Sequence, residues 1–308
     1  MGKICFFCGS NHVTRKGFSH GRQRWFCKAC GRHFSHARAD FSKDVFRLRS
    51  SGKLSSQDIA NQLGISRSTV CRIIKSAPTP NMNVSPGKII ALMDATYWGW
   101  NFGVVAIKDA VEGLVVWSKF IHRKERVEDY VEGVEWLEKN GFEITCIVSD
   151  GLRGLRERLF RYPFQYCQFH QVKTVKHWLT SRPKLDASKE LLDLTYFMTH
   201  TDKASFEGLF GEWENKWIDF LKDRTLHADG KKHYTHKNLR SAYHSIKRNM
   251  RFLWTFEDLY GLGVPNTNNG IESLFNDLKS ILRLHKGISQ KTREMMILEF
   301  FSRPNADG

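Results

Sequence analysis

Three acidic residues stand where carboxylates can hold metal ions. Asp94 and Asp150 each end an apolar run typical of a β-strand, and Glu272 comes one turn into a helical pattern over residues 268–279. Carboxylates at two strand ends and on one helix can bind two divalent cations about 4 Å apart, which activate the attacking oxygen and stabilise the leaving oxygen in phosphoryl transfer. We predict that Asp94, Asp150 and Glu272 are catalytic and bind two Mg²⁺ or Mn²⁺ ions.

Other residues compete with these acids or support them. Asp277 shares the helical pattern of Glu272, but a separation of five residues points it to another side of the helix. Asp109 follows the run Val104-Val-Ala-Ile-Lys108 and is predicted to be a turn residue. Lys279 comes seven positions after Glu272 and shares its helix face, so we predict that it holds a DNA backbone beside the metals.

Four cysteines near the start of the chain are spaced as zinc ligands. Cys5 and Cys8 form one Cys-x-x-Cys pair, Cys27 and Cys30 form another, and a glycine follows each pair. Two such pairs are typical of a four-thiolate zinc site, and the glycines permit a turn that aims backbone amides at sulfur. A redox dithiol would need only one pair. We predict one structural zinc ion that joins two hairpins too small to bury a core alone.

The charge of the chain points to a polyanionic partner. The formal net charge is +16 over 308 residues, and residues 1–88 hold 16 Lys and Arg against 3 Asp and Glu. Such a surplus repels itself unless a polyanion is a regular partner, which favours nucleic acid over a merely soluble basic protein. Arg24 and Lys28 lie among the cysteines, and we predict that they contact DNA phosphates.

Residues 55–75 have the pattern of a helix-turn-helix. Apolar residues at helical spacing predict two packed helices, Gly64 permits the turn between them, and Ser66 caps the second helix. A plain helical hairpin between two domains is the alternative, which the basic outer face disfavours. The residues predicted to face the DNA major groove or its phosphates are Arg67, Ser68, Thr69 and Arg72.

The order of elements after residue 88 supports the placement of the acids. Three apolar runs predict an antiparallel meander, residues 127–140 have helical spacing, and residues 144–149 predict a further strand. An RNase H-like fold, with a mixed five-stranded sheet and helices, requires this order and brings carboxylates to one end of the sheet. Residues 183–256 are helical and aromatic and are predicted to form an inserted all-α subdomain.

The chain is therefore predicted to be a multidomain α/β protein. Prolines and a glycine stop any helix in the linker and favour a domain boundary there. The predicted parts are a zinc ribbon at 1–41, a helix-turn-helix at 42–77, a linker at 78–87 and an RNase H-like catalytic domain at 88–308.

The chain resembles the bacterial insertion-sequence DDE transposases of the Mutator-like superfamily. A zinc ribbon and a helix-turn-helix ahead of the core are similar to a variant branch of these elements, although many members lack the ribbon. The resemblance implies an enzyme that cuts the ends of its own element and joins the freed 3′-hydroxyl to target DNA. The motifs that carry it are Asp94, Asp150-Gly151, Cys167-Gln-Phe-His170 and Asn268-Asn-Gly-Ile-Glu272.

The resemblance also implies the partners of the protein. These are double-stranded DNA, as element ends and as target, and further copies of the chain, because two ends must be held together in a homodimer or a higher oligomer. Two other functions remain open: a DNA-binding transcriptional regulator derived from a transposase, and a stand-alone nuclease. Cys167 and His170, one turn apart, more often pack or hydrogen-bond than bind a metal, and contact with DNA is a third alternative.

The sequence favours a cytoplasmic protein associated with the nucleoid. No apolar run approaches the roughly 18 residues that a membrane span needs, so we expect no membrane partner. The chain has 7 cysteines, and an odd number with two paired motifs favours a reducing compartment.

Overall fold

The computed structural model describes most of the chain as two compact units, residues 1–77 and residues 78–308. The end of the predicted zinc ribbon and the first part of the predicted linker lie outside the described residues. The described ranges are 3–19, 22–35, 41–51, 54–76, 84–226, 230–285 and 287–302.

The first unit begins with a small antiparallel sheet. Its strands are β1 (Val13–Ser19), β2 (Arg22–Cys27) and β3 (His33–Phe34), in the order β1-β2-β3. The side chains buried around it are Cys5, Cys27 and Phe34. So few apolar side chains cannot stabilise a sheet alone, which leaves the cysteines as its main source of cohesion.

Three helices follow in the first unit, α1 (Ser42–Ser51), α2 (Ser56–Leu63) and α3 (Arg67–Ser76). Ser55 starts α2 through a capping box with Asp58, in which each side chain bonds the other residue's backbone N–H. Gly64 ends α2 in the left-handed conformation, with φ of 64°. The helices enclose a small core formed by Val45, Ile59, Ala60, Val70 and Ile74.

The second unit is built on a mixed five-stranded sheet, as predicted. Its order is β6-β5-β4-β7-β8, with antiparallel pairing among β4, β5 and β6 and parallel pairing of β7 with β4 and β8. The predicted meander and fourth strand are confirmed. The strands are β4 (Lys88–Tyr97), β5 (Gly103–Asp109), β6 (Val115–Ile121), β7 (Glu143–Ser149) and β8 (Phe164–Tyr166).

Helices cover both faces of this sheet. Alternate side chains of a strand point to opposite faces, so Ile89 and Met93 of β4 pack in one core, while Ile90 and Leu92 pack in the other. The first core is closed by α4, and the second by two helices near the end of the chain. These helices are α4 (Val127–Lys139), α11 (Asn269–Arg283) and α12 (Gln290–Phe301).

A mainly helical region lies between β8 and α11, with its own core around Phe206 and Trp254. The prediction of an all-α insertion is wrong at one point, because β9 (Arg224–Leu226) and β10 (Lys232–Tyr234) form a hairpin. These strands have three residues each and are largely exposed, so they carry no alternating pattern. A short helix, α5 (Leu155–Arg158), precedes β8 and lies outside this region. The helices of the region itself are α6 (Gln168–Leu179), α7 (Asp186–Phe197), α8 (Lys203–Trp217), α9 (Lys237–Leu253) and α10 (Thr255–Asp258).

Asp129 joins the end of β6 to the first turn of α4. Its fully buried carboxylate accepts hydrogen bonds from Arg123 at 2.6 and 2.8 Å and from the backbone N–H of Arg126 at 2.9 Å. The Arg123 hydrogen bonds are the largest influence that lowers the pKa of Asp129 to about 2. Because this pKa lies below that of an unfolded aspartate, about 3.9, ionised Asp129 stabilises the folded chain above about pH 4.

We predict that Asp129→Asn lowers the free energy of unfolding by about 2 kcal/mol at pH 7, the scale of a hydrogen bond to a charged group. The difference from the wild type should shrink as the pH falls from about 4 towards 2, since protonation removes the same interaction. Urea unfolding at several pH values measures both effects. Glu128→Gln, which changes the exposed neighbour, is the matched control, and an equal loss in that variant would contradict the prediction.

Candidate functional site

Asp94 and Asp150 occupy equivalent positions on the neighbouring parallel strands β4 and β7. The last paired residues of these strands are Met93 and Ser149, and each acid comes directly after its paired residue. Neighbouring strands lie about 4.8 Å apart, so the two carboxylates leave the same end of the pairing. The prediction that Asp94 lies at a strand end is wrong, because pairing with β5 continues β4 to Tyr97.

The pKa of Asp94 is raised, in part because other negative charges lie near its carboxyl group. Burial of the carboxyl group is the largest cause that raises this pKa, and together with repulsion from Asp150, Glu125 and Glu272 it brings the pKa to about 8. The backbone N–H of Ala95 opposes this through a hydrogen bond of 2.7 Å to Asp94 Oδ1. All three acids predicted from the sequence therefore interact electrostatically at one place.

Glu272 lies in the first turn of α11, among residues contributed by α6. Lys173 Nζ donates to Glu272 Oε2 at 3.4 Å. His170 Nε2 approaches Glu272 Oε1 to 3.3 Å without the geometry of a hydrogen bond. Burial lowers the pKa of His170, while Asp150 and Glu272 act to raise it. The histidine of the Cys-x-x-His motif thus lies beside Glu272 and interacts electrostatically with Asp150.

Two hydrogen-bonding residues connect α11 to the strands that carry the aspartates. Asn268 Nδ2 donates to the carbonyl oxygen of Met93 at 2.9 Å. The N–H of Cys167 donates to the carbonyl oxygen of Ser149 at 3.0 Å, and Cys167 Sγ accepts from the N–H of Asn268 at 3.2 Å. These bonds reach the residues immediately before Asp94 and Asp150.

Close packing brings α11 against β4. A Cβ atom on Gly270 would lie 3.1 Å from Leu92 Cδ1, and Lys108 Nζ donates to the carbonyl oxygen of Gly270 at 2.9 Å. Lys279 lies further along α11 and is partly buried, while Asp277 is exposed. The helix therefore presents Glu272, but not Asp277, among the other acids.

Sequence reasoning missed a fourth carboxylate, Glu125. It lies between β6 and α4, where Tyr130 donates a hydrogen bond to its carboxylate and its own N–H donates to Tyr97 Oη at 2.8 Å. Burial raises the pKa of Glu125, and repulsion from Asp150 adds to the effect. No apolar run ends at Glu125, so the signal that selected Asp94 and Asp150 is absent there.

The donor set of this carboxylate site suits divalent cations. It consists of carboxylate oxygens, the ligands that Mg²⁺ and Mn²⁺ prefer. Glu272 Oε1 and Asn268 Oδ1 are buried and have no hydrogen-bond partner among the described residues. The carboxylates do not gather as tightly as ligands of a single ion, but a pair of cations about 4 Å apart needs ligands spread along both.

The four predicted zinc ligands come together in the first unit. Their sulfur atoms all lie within 4.8 Å of one another, with Cys5 and Cys30 at 3.8 Å and Cys8 and Cys27 at 3.6 Å. Sulfur atoms about 2.3 Å from a tetrahedral zinc ion would be about 3.8 Å apart. In the part of the chain that the structure describes, this is the one group of at least three Cys, His, Asp or Glu side chains gathered so closely.

The cluster favours a thiolate at Cys27 but not at Cys8, where a hydrogen bond with the backbone of Ser10 acts to lower the pKa but burial and hydrogen bonds with the other three cysteines raise it to about 12. The glycines after the two pairs, Gly9 and Gly31, have φ of 71° and 68°. Burial acts to raise the pKa of Cys27, but hydrogen bonds from the N–H of Cys30 and from the Cys8 thiol help to lower it to about 7. A thiolate is the form that binds zinc, so this cluster could bind a zinc ion. Arg24 and Lys28, predicted to contact DNA, are exposed nearby in the chain.

The predicted DNA-contact residues of the helix-turn-helix lie at the start of α3. Arg67, Ser68 and Arg72 are exposed. Thr69 is partly buried, and its N–H and hydroxyl bond to Ser66 Oγ at 3.2 and 2.9 Å. Thr69 therefore contributes to the helix cap, while the two arginines point into solvent.

Comparison with known families agrees with this helical region. Residues 40–78 match the family model of sigma-70, region 4, which is a helix-turn-helix DNA-binding domain. The match covers the three helices of the first unit, so this region is a helix-turn-helix of DNA-binding type. No curated protein matches the chain. Among the described residues, no helix is both long and apolar enough to cross a membrane.

We predict that the purified protein contains about one zinc ion per chain, because four thiolates complete a tetrahedral site. Cys27→Ser should reduce the zinc content at least about tenfold, since three thiolates bind zinc far more weakly. Elemental analysis by plasma mass spectrometry measures the content. Cys71→Ser, which removes a thiol of the same unit outside the cluster, should keep the metal. A wild-type protein without zinc would overturn the assignment.

Gly151, directly after Asp150, occupies a position that leaves no room for a side chain. Its φ of 83° is a left-handed conformation, and a Cβ atom there would lie 1.9 Å from Tyr166 Cε2. Gly263 has a similar φ of 73°, but a Cβ atom would meet nothing within 4 Å. A side chain at Gly151 would therefore add both backbone strain and steric overlap, whereas a side chain at Gly263 would add backbone strain alone.

We predict that Gly151→Ala lowers the free energy of unfolding by about 3 kcal/mol, because overlap with Tyr166 adds to backbone strain. Gly263→Ala should cost about 1 kcal/mol from backbone strain alone. Denaturant unfolding of both variants measures the difference. Equal losses would show that Tyr166 moves aside without lowering the free energy of unfolding. The close packing beside Asp150 would then be unimportant for stability.

Proposed function

We propose that the second unit is an RNase H-like catalytic domain and that the protein is a Mg-dependent DNA transposase of the insertion-sequence DDE type. The observation that carries the proposal is the position of Asp94 and Asp150, each directly after the last residue pair of two parallel strands. Glu272 joins them from α11, and the charges of all three influence one another. The strand order and the element order agree with the resemblance to Mutator-like DDE transposases.

In the proposed site, Asp94, Asp150 and Glu272 would hold two Mg²⁺ or Mn²⁺ ions. When bound, such ions activate water and then a DNA 3′-hydroxyl for attack on phosphorus and stabilise the leaving oxygen. Lys173 of α6 donates a hydrogen bond to the Glu272 carboxylate, and His170 of the same helix lies beside it. No protein–DNA covalent bond forms, because the nucleophiles come from water and DNA.

The first unit would bring DNA to this chemistry. The cysteine cluster and its three-stranded sheet fit a zinc ribbon, and the helix-turn-helix supplies exposed Arg67 and Arg72 for phosphates or base edges. Two ends must be held together during joining, so the active form would be a homodimer or a larger assembly, working on chromosomal DNA in the cytoplasm.

Strand joining tests this function. The purified protein is incubated with the terminal DNA that flanks its own gene and with a target plasmid, in Mg²⁺ or in EDTA. We predict joined products in Mg²⁺ only. Asp150→Asn should reduce joining at least about a thousandfold, as expected for loss of a metal ligand at a phosphoryl-transfer site. Asp277→Asn, which changes the exposed acid of α11, should retain activity.

The products also separate the two other functions. Cleavage without joining would replace the transposase by a nuclease. Binding of terminal DNA without any Mg²⁺-dependent product would favour a transcriptional regulator. Loss of activity in Asp277→Asn with full activity in Asp150→Asn would overturn the assignment of the catalytic residues.

A further inference from the structure

A chain of cavities leads away from the carboxylate site. The first, of about 640 Å³, begins at Gly151, the residue after Asp150, and reaches Arg248. The second, of about 610 Å³, shares Arg248 and extends to Trp178 and Tyr234. The third, of about 740 Å³, shares Trp178 and Tyr234. Successive cavities share lining residues and are therefore neighbours on the surface, and we call the three together the basic cleft.

Positive charge dominates the walls of the basic cleft. Its one acidic lining residue is Glu157, which forms an ion pair with Arg156. Six lining cations have no ion pair with a carboxylate anywhere in the described residues: Arg153, Arg182, Lys184, Lys237, Arg240 and Arg248. Cations without internal partners that share a cleft attract a ligand with repeated negative charges.

Helix α9 arranges part of this charge in a row. Lys237, Arg240 and Arg248 are spaced by three and eight residues, which places them on one side of the helix. Leu239 and Ile246 are buried in the core on the other side. At 1.5 Å per residue the row is about 16 Å long, so it can follow several successive phosphates of one strand.

Aromatic surface accompanies the charge. Trp178 of α6 is 37% exposed and lines the second and the third cavity. Tyr234 lines the same cavities, with the Arg240 guanidinium 3.6 Å from its ring centroid. Exposed aromatic rings beside a basic groove are the means by which proteins stack unpaired bases. Each cavity has the volume of a small-ligand site, which suits nucleotides of a single strand and not a duplex.

We propose that the basic cleft binds a single strand of DNA and guides its end to the site at Asp150. The strand would place its phosphates along α9 and stack bases on Trp178. This inference rests on the proposed function for its direction towards Asp150, but the binding itself can be measured without any reaction.

The test uses the full-length protein in EDTA and measures fluorescence anisotropy of a labelled, mixed-sequence single-stranded oligonucleotide at several salt concentrations. Lys237→Gln/Arg248→Gln should weaken binding about tenfold and reduce the slope of log affinity against log salt by about 1.4, since each lost phosphate contact on a single strand removes about 0.7. Lys139→Gln/Lys222→Gln removes two charges of the same unit outside the cleft and should change neither.

Trp178→Ala supplies a second measurement that does not depend on charge. It should weaken single-strand binding about tenfold through lost stacking, while Trp136→Ala, at a site 43% exposed and outside the cleft, should not. The duplex of the same sequence is the comparison ligand, and its affinity should change less than about twofold, because the helix-turn-helix is untouched. Unchanged single-strand affinity in both cleft variants, or an equal or larger loss for the duplex, would overturn the inference.

The joining assay keeps this test separate from the proposed function. Loss of single-strand binding in a protein that never yields Mg²⁺-dependent products supports the basic cleft and removes the transposase proposal. Normal joining by both cleft variants, with unchanged binding, removes the basic cleft and leaves the transposase proposal standing.

Discussion

The parallel pairing of β4 with β7 is the constraint on which the candidate site depends. Two parallel strands place equivalent residues side by side, and here the pairing stops at Met93 and Ser149, so the next residue on each strand is an aspartate. Asp94 and Asp150 are 56 positions apart in the sequence. No local interaction could hold two carboxylates together across such a separation against their repulsion, whereas a buried central sheet does.

The same constraint extends to the third acid through backbone atoms. Cys167 and Asn268 bond the carbonyl groups of Ser149 and Met93, and they bond each other. The start of α6 and the start of α11 are therefore attached at the point where the aspartates leave the sheet. Asn268 acts through its side-chain amide, whereas Cys167 acts through its backbone N–H and its sulfur atom. Such bonds next to a site position its ligands without occupying the site.

The two units reach stability by different means. The second unit has separate cores on the two faces of its sheet and a third core within the helical region. The cysteine-bearing sheet of the first unit buries few apolar side chains, and its four sulfur atoms already have nearly tetrahedral spacing. A cross-link through metal suits a domain that cannot enclose a core.

The sequence by itself determined the features that repeat over short distances. The cysteine spacing, the helix-turn-helix and the apolar runs that precede Asp94 and Asp150 follow from turns and periodicity that neighbouring residues impose. Only the tertiary structure decided what depends on distant segments. Glu125 joins the other acids because a loop reaches them across the sheet, the β9–β10 hairpin forms without an alternating pattern, and the basic cleft arises where α6 and α9 meet. A short stretch of sequence does not identify the distant residues that it contacts, because those residues come together only when the whole chain folds.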